Sequence, residues 1–175
     1  MIQELWEQIQ NGQEVRQNLS KIRQVIKDNG ERRKLSALLE GEETVLIDLL
    51  RSEDAKTRKN AALLMGDLRN PSFLAPIWKA YQEDGQRFVK SSYLSAIGNF
   101  DYREYMDAIK EQLAALEKEE VTEENQKHLM EEMRKLSFLI VHIEGVSAHK
   151  FIGWDKAYDI FLITNEITGN WLAMN

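Results

Sequence analysis

Residues 54–68 read DAKTRKNAALLMGDL. The stretch has the composition of a helix that must pack on more than one side. Asp54 stands where exposed backbone N–H groups at a helix start favour a carboxylate. It also precedes Arg58 by four residues, the spacing of a helix-surface ion pair. Ala61 and Ala62 are small enough to let a neighbouring helix approach closely. Gly66 does the same near the helix end, where its entropic penalty matters least. In a stack of helix pairs, the same acidic and basic residue types can also bridge neighbouring turns.

A related stretch recurs 32 residues later. With Gly66 set on Gly98, Arg58 falls on Lys90, Ala61 on Tyr93, Ala62 on Leu94, Met65 on Ile97 and Leu68 on Phe100. The preceding helices correspond with a shift of one residue, Trp78 and Tyr81 standing for Ile47 and Leu50. A period near 32 with two helices per unit predicts an all-α chain, an α-solenoid of stacked helix pairs.

Helical spacing extends outward in both directions. A short amphipathic helix is expected at 2–10. The next, at 13–28, carries Val15, Leu19, Ile22 and Ile26 inward and is stopped by Asn29-Gly30. Shorter helices follow at 31–40 and 42–51. Asn70 caps a further helix with Pro71 at its first position, and another runs from 86 to 100. Asp101 and Glu104 suggest a capping box for a helix that turns Met106, Ile109, Leu113 and Leu116 inward. Thr122 caps a long helix with the stripe Leu129, Met133, Leu136, Ile140 and Ile143. Residues 136–143, LSFLIVHI, are apolar almost all round, with His142 expected as a hydrogen-bonded packing residue. After Gly145 the spacing changes, and YDIFLIT at 158–164 has strand character. The expected organisation is a helical domain over 1–147, closed by a tail at 148–175 that covers the open side or starts a second domain.

Composition bounds the function. The chain has 175 residues, 43% hydrophobic and 30% charged, with a net charge of −6. That length suits one domain with a sizeable core, and the charge argues against wholesale wrapping of nucleic acid. There is no cysteine, which excludes disulfides, thiolate metal sites and cysteine nucleophiles. No apolar run approaches the roughly 20 residues of a membrane span, and MIQELWEQIQ has no signal pattern. The expected location is cytoplasmic.

LLRSEDAKTRKNAALLMGDL resembles a HEAT repeat of the short bacterial type, similar to those of phycobilisome lyases. The match is good over 46–68, with Met65 for the usual Leu. It is looser over 74–100, where Gln86 replaces the Asp, Lys90 the Arg and Tyr93 an Ala. ERRKLSALLEG at 31–41 is a shortened version. The resemblance implies a fold and is nearly silent on function, since such repeats serve as scaffolds in unrelated systems. HKFIGWDKAYDIFLITN at 149–165 resembles the segment after HEAT-like repeats in predicted bacterial RNA methyltransferases. The glycine loop for S-adenosylmethionine and the Asn/Asp-Pro-Pro-aromatic motif of such enzymes do not occur here.

The sequence has no Gly-x-Ser-x-Gly elbow, no phosphate-binding glycine loop and no cofactor motif. Glu124 and His128 have metal-ligand spacing without a second pair, and the carboxylates fall in runs typical of solvated faces. Residues 13–35 hold seven Lys/Arg and three Asp/Glu, whereas 111–132 hold eight acidic and two basic residues. The leading expectation is a non-catalytic scaffold or adaptor with a protein partner and no cofactor. The HEAT resemblance places Asp48, Arg51, Lys79, Gln82, Lys110 and Gln112 on its concave binding surface. The alternative is an accessory region that positions RNA for an S-adenosylmethionine-dependent methyltransferase system. It would use a basic face of Arg16, Arg23, Lys27, Arg32 and Arg33, contacting phosphates without reading sequence.

Overall fold

The computed structural model describes residues 1–145. The strand-like segment at 158–164 and the expected covering tail lie outside the described residues. Among the described residues there are nine α-helices and no strand. They are α1 (Ile2–Gln10), α2 (Val15–Val25), α3 (Asn29–Leu39), α4 (Glu43–Leu49), α5 (Ala55–Leu68), α6 (Leu74–Glu83), α7 (Arg87–Ile97), α8 (Met106–Glu117) and α9 (Gln126–Glu144). The chain divides into two units, one of residues 1–101 and one from Tyr102 onward. No described helix is long and apolar enough to cross a membrane.

The start of α5 is set by Asp54, whose side chain accepts the Thr57 N–H at 3.1 Å and the Thr57 hydroxyl at 2.7 Å. This cap satisfies one of the donors that every helix start leaves unpaired. α5 packs against α2 on one side and α7 on another, and it contacts α4 as well. That is why Thr57, Ala61, Ala62, Leu64, Met65 and Gly66 are all buried, on more of the circumference than a surface helix covers. The smallest of them marks the closest approach. A Cβ built on Gly66 would lie 2.9 Å from the Ala96 Cα and 3.0 Å from the Ala96 Cβ of α7. The residue aligned with it in sequence, Gly98, is exposed and follows the end of α7, so the two glycines have different jobs.

Several boundaries differ from expectation for local reasons. α2 ends at Val25, and Asp28 accepts the Glu31 N–H at 3.0 Å, so Asn29-Gly30 open α3 instead of closing α2. Asn70 does cap through Ser72, at 3.1 Å to its N–H, but the first turn with Pro71 is 3₁₀ and α6 begins at Leu74. The helix expected after Asp101 begins at Met106. Tyr102 occupies the cap position without a side-chain cap bond and a 3₁₀ turn, Arg103–Tyr105, precedes α8. The Tyr102 ring is buried and its hydroxyl donates to the Leu139 carbonyl at 2.7 Å, which pins that residue. Before α9, Thr122 and Asn125 exchange N–H bonds to each other's side chains, at 2.8 and 3.2 Å.

In the second unit α8 packs on α9, with Met106, Ile109, Leu113 and Leu116 facing Leu129, Met133, Leu136 and Ile140 as buried stripes. The stripe stops there. Ile143 is exposed, and so is His142, which stacks on exposed Phe138 at 6.0 Å between ring centroids. His142 is therefore not the buried packing residue that its apolar surroundings in sequence suggest, because its helix angle turns it away from α8.

Gly66→Ala tests the α5–α7 contact through its sign. Alanine normally favours a helix over glycine by about 0.5–1 kcal/mol. Here the added methyl meets backbone, and overpacking costs about 1–3 kcal/mol. Thermal unfolding followed by circular dichroism should show a lower midpoint for Gly66→Ala, and a raised midpoint would contradict the contact.

Candidate functional site

Arg58 does not pair with Asp54. Its Nε donates to Asp84 Oδ2 at 2.8 Å and its Nη2 to Asp84 Oδ1 at 3.1 Å, a two-point pairing across the turn that joins α6 to α7. The remaining nitrogen, Nη1, donates to the carbonyls of Ser52 at 2.8 Å and Glu53 at 3.2 Å. Asp84 is shared further. It accepts the Tyr93 hydroxyl at 2.6 Å and the Gln86 N–H at 2.9 Å. The side chains of Arg58 and Asp84 are only 13% and 4% exposed, so the pair is shielded from the solvent that weakens most surface ion pairs. Planar guanidinium and carboxylate fit each other at two points, which a lysine could not do.

Burial alone would raise the Asp84 carboxyl, but hydrogen bonds from Arg58, Tyr93 and the Gln86 N–H, with the Arg58 charge, hold it below the ordinary carboxylate value. Burial and the bond to Asp84 push the Tyr93 phenol well up. The Lys90 ammonium, which the repeat aligns with Arg58, lies over the Tyr81 ring at 5.3 Å.

This locked cluster floors a hollow of about 520 Å³. One wall is Ile47, Leu50, Arg51 and Ser52 from α4 and the turn after it; the other is Ala75, Pro76, Lys79, Ala80 and Glu83 of α6. The apolar surface is flanked by cations. Arg51 is exposed and has no ion-pair partner among the described residues; Lys79 stands 3.9 Å from Glu83, and both are largely exposed. Arg51, from the turn after α4, and Lys79 of α6 thus come to one groove. Asp48 and Gln82 are exposed on the same two helices but do not line it. Lys110 and Gln112 belong to α8 in the second unit, where Lys110 pairs with Glu144 and Gln112 is half-buried.

The residues of the basic face are mostly occupied with holding α5. Arg23 donates to Asp67 at 2.7 Å. Arg32 donates to the carbonyls of Ile26 and Asp67. Arg16 lies 3.9 Å from Asp54, and its carbonyl accepts from Asn60 at 3.2 Å. Lys27 donates to Gln24 at 2.6 Å and is exposed, as is Arg33. A second hollow, of about 560 Å³, takes only Arg16 from that face and joins it to Gln17, Ser20, Lys56, Lys59, Asn60 and Phe88. Lys56, Lys59 and Phe88 escape a one-dimensional reading because no single helix carries the cluster. Among the described residues no group of three His, Asp or Glu is placed to hold a metal. Comparison with protein-family models, with curated proteins and with solved structures found no match to this chain.

The lock predicts a pH dependence with a definite sign. A carboxyl whose pKa is depressed on folding stabilises the fold above its unfolded value, here 3.8, and loses that contribution as pH falls through the lower folded value. Asp84→Asn should cost about 3 kcal/mol near neutral pH, where it leaves Arg58 without its counter-ion. The difference in unfolding free energy between wild type and variant should shrink below pH 3.8. Parallel urea titrations across the acid range measure it, and a pH-independent difference would contradict the assignment.

Proposed function

We propose that the protein is a non-catalytic adaptor built as an α-solenoid of HEAT-like helix pairs, and that it works by holding a partner protein in the groove between α4 and α6. The pairs would be α4 with α5 and α6 with α7, stacked through the α5–α7 contact. The groove itself carries the reading: an apolar strip of Ile47, Leu50, Ala75, Pro76 and Ala80 flanked by Arg51 and Lys79, over a floor that cannot shift without breaking the Arg58–Asp84 pair. Such a floor lowers the ordering that binding would otherwise require. The occupant that fits is a partner segment with an apolar side chain for the strip and carboxylates for Arg51 and Lys79, since opposite charges at a rim steer encounter and fix register.

The test is selection of linear peptides from a random library on the whole protein. Enriched sequences should combine acidic and apolar residues, and they should bind Arg51→Glu/Lys79→Glu at least about tenfold more weakly, the effect of losing about 1.4 kcal/mol. Lys56→Glu/Lys59→Glu should leave them unaffected. Enriched peptides that bind the Arg51→Glu/Lys79→Glu protein as tightly as wild type would remove the groove from the account.

A further inference from the structure

Residues 1–101 contain 15 Lys/Arg and 15 Asp/Glu, so the net −6 of the chain lies beyond them. Within this balanced unit the second hollow is a local exception. Arg16 of α2 and Lys56 and Lys59 of α5 converge on it, and no acidic side chain lines it. The nearest carboxylate recorded against these cations is Asp54, 3.9 Å from Arg16 and already accepting from Thr57. Three cations against one engaged carboxylate leave a positive concavity. Lys56 and Lys59 are exposed, and their ammonium groups have no ion-pair or hydrogen-bond partner among the described residues. They hold no element in place, unlike Arg23 and Arg32. At the same hollow stands Phe88, a ring 39% exposed where most large apolar side chains of the unit are buried. Ser20, Gln17 and Asn60 complete the lining with neutral hydrogen-bonding groups.

We infer that this hollow binds single-stranded nucleic acid, with Arg16, Lys56 and Lys59 on successive phosphates and the Phe88 ring as a stacking platform for an unpaired base. Cations alone would suit any polyanion. The ring selects among them: a flat face beside a positive groove matches a strand whose bases are free to stack. A duplex keeps its bases stacked internally, and an acidic peptide supplies charge without a ring partner. Contacts to phosphate and to a base face carry little sequence information, so the expected preference is for strandedness and not for sequence. The inference uses none of the residues that line the α4–α6 groove and stands or falls apart from it.

Fluorescence anisotropy of a labelled oligouridylate of about twelve nucleotides, a length within the range that such sites cover, tests it on the whole protein. Three phosphate contacts predict that log Kobs falls with log salt at a slope of about −2. Lys56→Glu/Lys59→Glu should weaken binding at least tenfold and flatten that slope by about 1.4. Phe88→Leu keeps an apolar side chain but no stacking face. It should weaken binding about fivefold or more with the slope unchanged. Arg51→Glu should change neither quantity, and circular dichroism should show the helices intact in all variants. Absence of salt-sensitive association near physiological salt overturns the inference. So does a Phe88→Leu protein that binds like wild type. Competition by an oligoglutamate peptide as effective as that by unlabelled strand would make the hollow a peptide site. Equal affinity for inorganic phosphate or a mononucleotide would reduce it to a simple anion site.

Discussion

The guanidinium of Arg58 is the constraint on which the first unit depends. One side chain reaches the carbonyls of Ser52 and Glu53 before α5, the carboxylate of Asp84 after α6 and, through that carboxylate, the hydroxyl of Tyr93 in α7. Four consecutive pieces of chain are referred to a single planar group. Burying a charge is unfavourable unless every donor and acceptor finds a partner in good geometry. Here the carboxylate accepts four hydrogen bonds, two from Arg58 and one each from Tyr93 and Gln86. The arrangement therefore specifies one relation of α6–α7 to α5, where apolar packing alone would accept several. Gly66 makes that relation possible by letting α7 come close enough.

The opposite side of α5 is held by a different set of basic residues, Arg23 and Arg32 at Asp67 and Arg16 near Asp54. The basic residues on and around α5 thus fall into two populations. One is spent on fastening helices; the other, Lys56 and Lys59 on α5 itself, remains at the surface. The same distinction separates Arg58, fixed in the floor of the α4–α6 groove, from Arg51 and Lys79 at its rim. The fixed guanidinium is paired at two points with Asp84, whereas Arg51 and Lys79 are exposed.

The helical content was legible because apolar residues recur with helical spacing through most of residues 1–145. Stripes such as Met106, Ile109, Leu113 and Leu116 need only that period to be recognised. Caps were legible where one residue decides them, as at Asp54 and Asn70. Tertiary contacts were not, as at Tyr102, whose buried ring and bond to the Leu139 carbonyl leave no mark in the helical spacing. The partner of Arg58 differs from the one its spacing favours: Asp54 stands four residues before it, but Asp54 is engaged by Thr57 and Asp84 is brought in by the α6–α7 turn. His142 shows the limit of reading hydrophobicity along the chain without its angle around the helix. Of the expected surface residues, Arg51 and Lys79 meet in one groove, while Lys56, Lys59 and Phe88 became visible only when α2, α5 and α7 were placed side by side.

A double-mutant cycle across Arg58 and Asp84 isolates the contribution of the pair. Unfolding free energies of wild type, Arg58→Met, Asp84→Asn and the double variant give the energy that belongs to the pair. If the pair is the constraint that orders α5 against the α6–α7 turn, the coupling should be about 2 kcal/mol or more, near the upper end of what contacting residues show. Effects that add to within about 0.5 kcal/mol would mean that the two side chains act independently, and the lock would not be what holds the unit together.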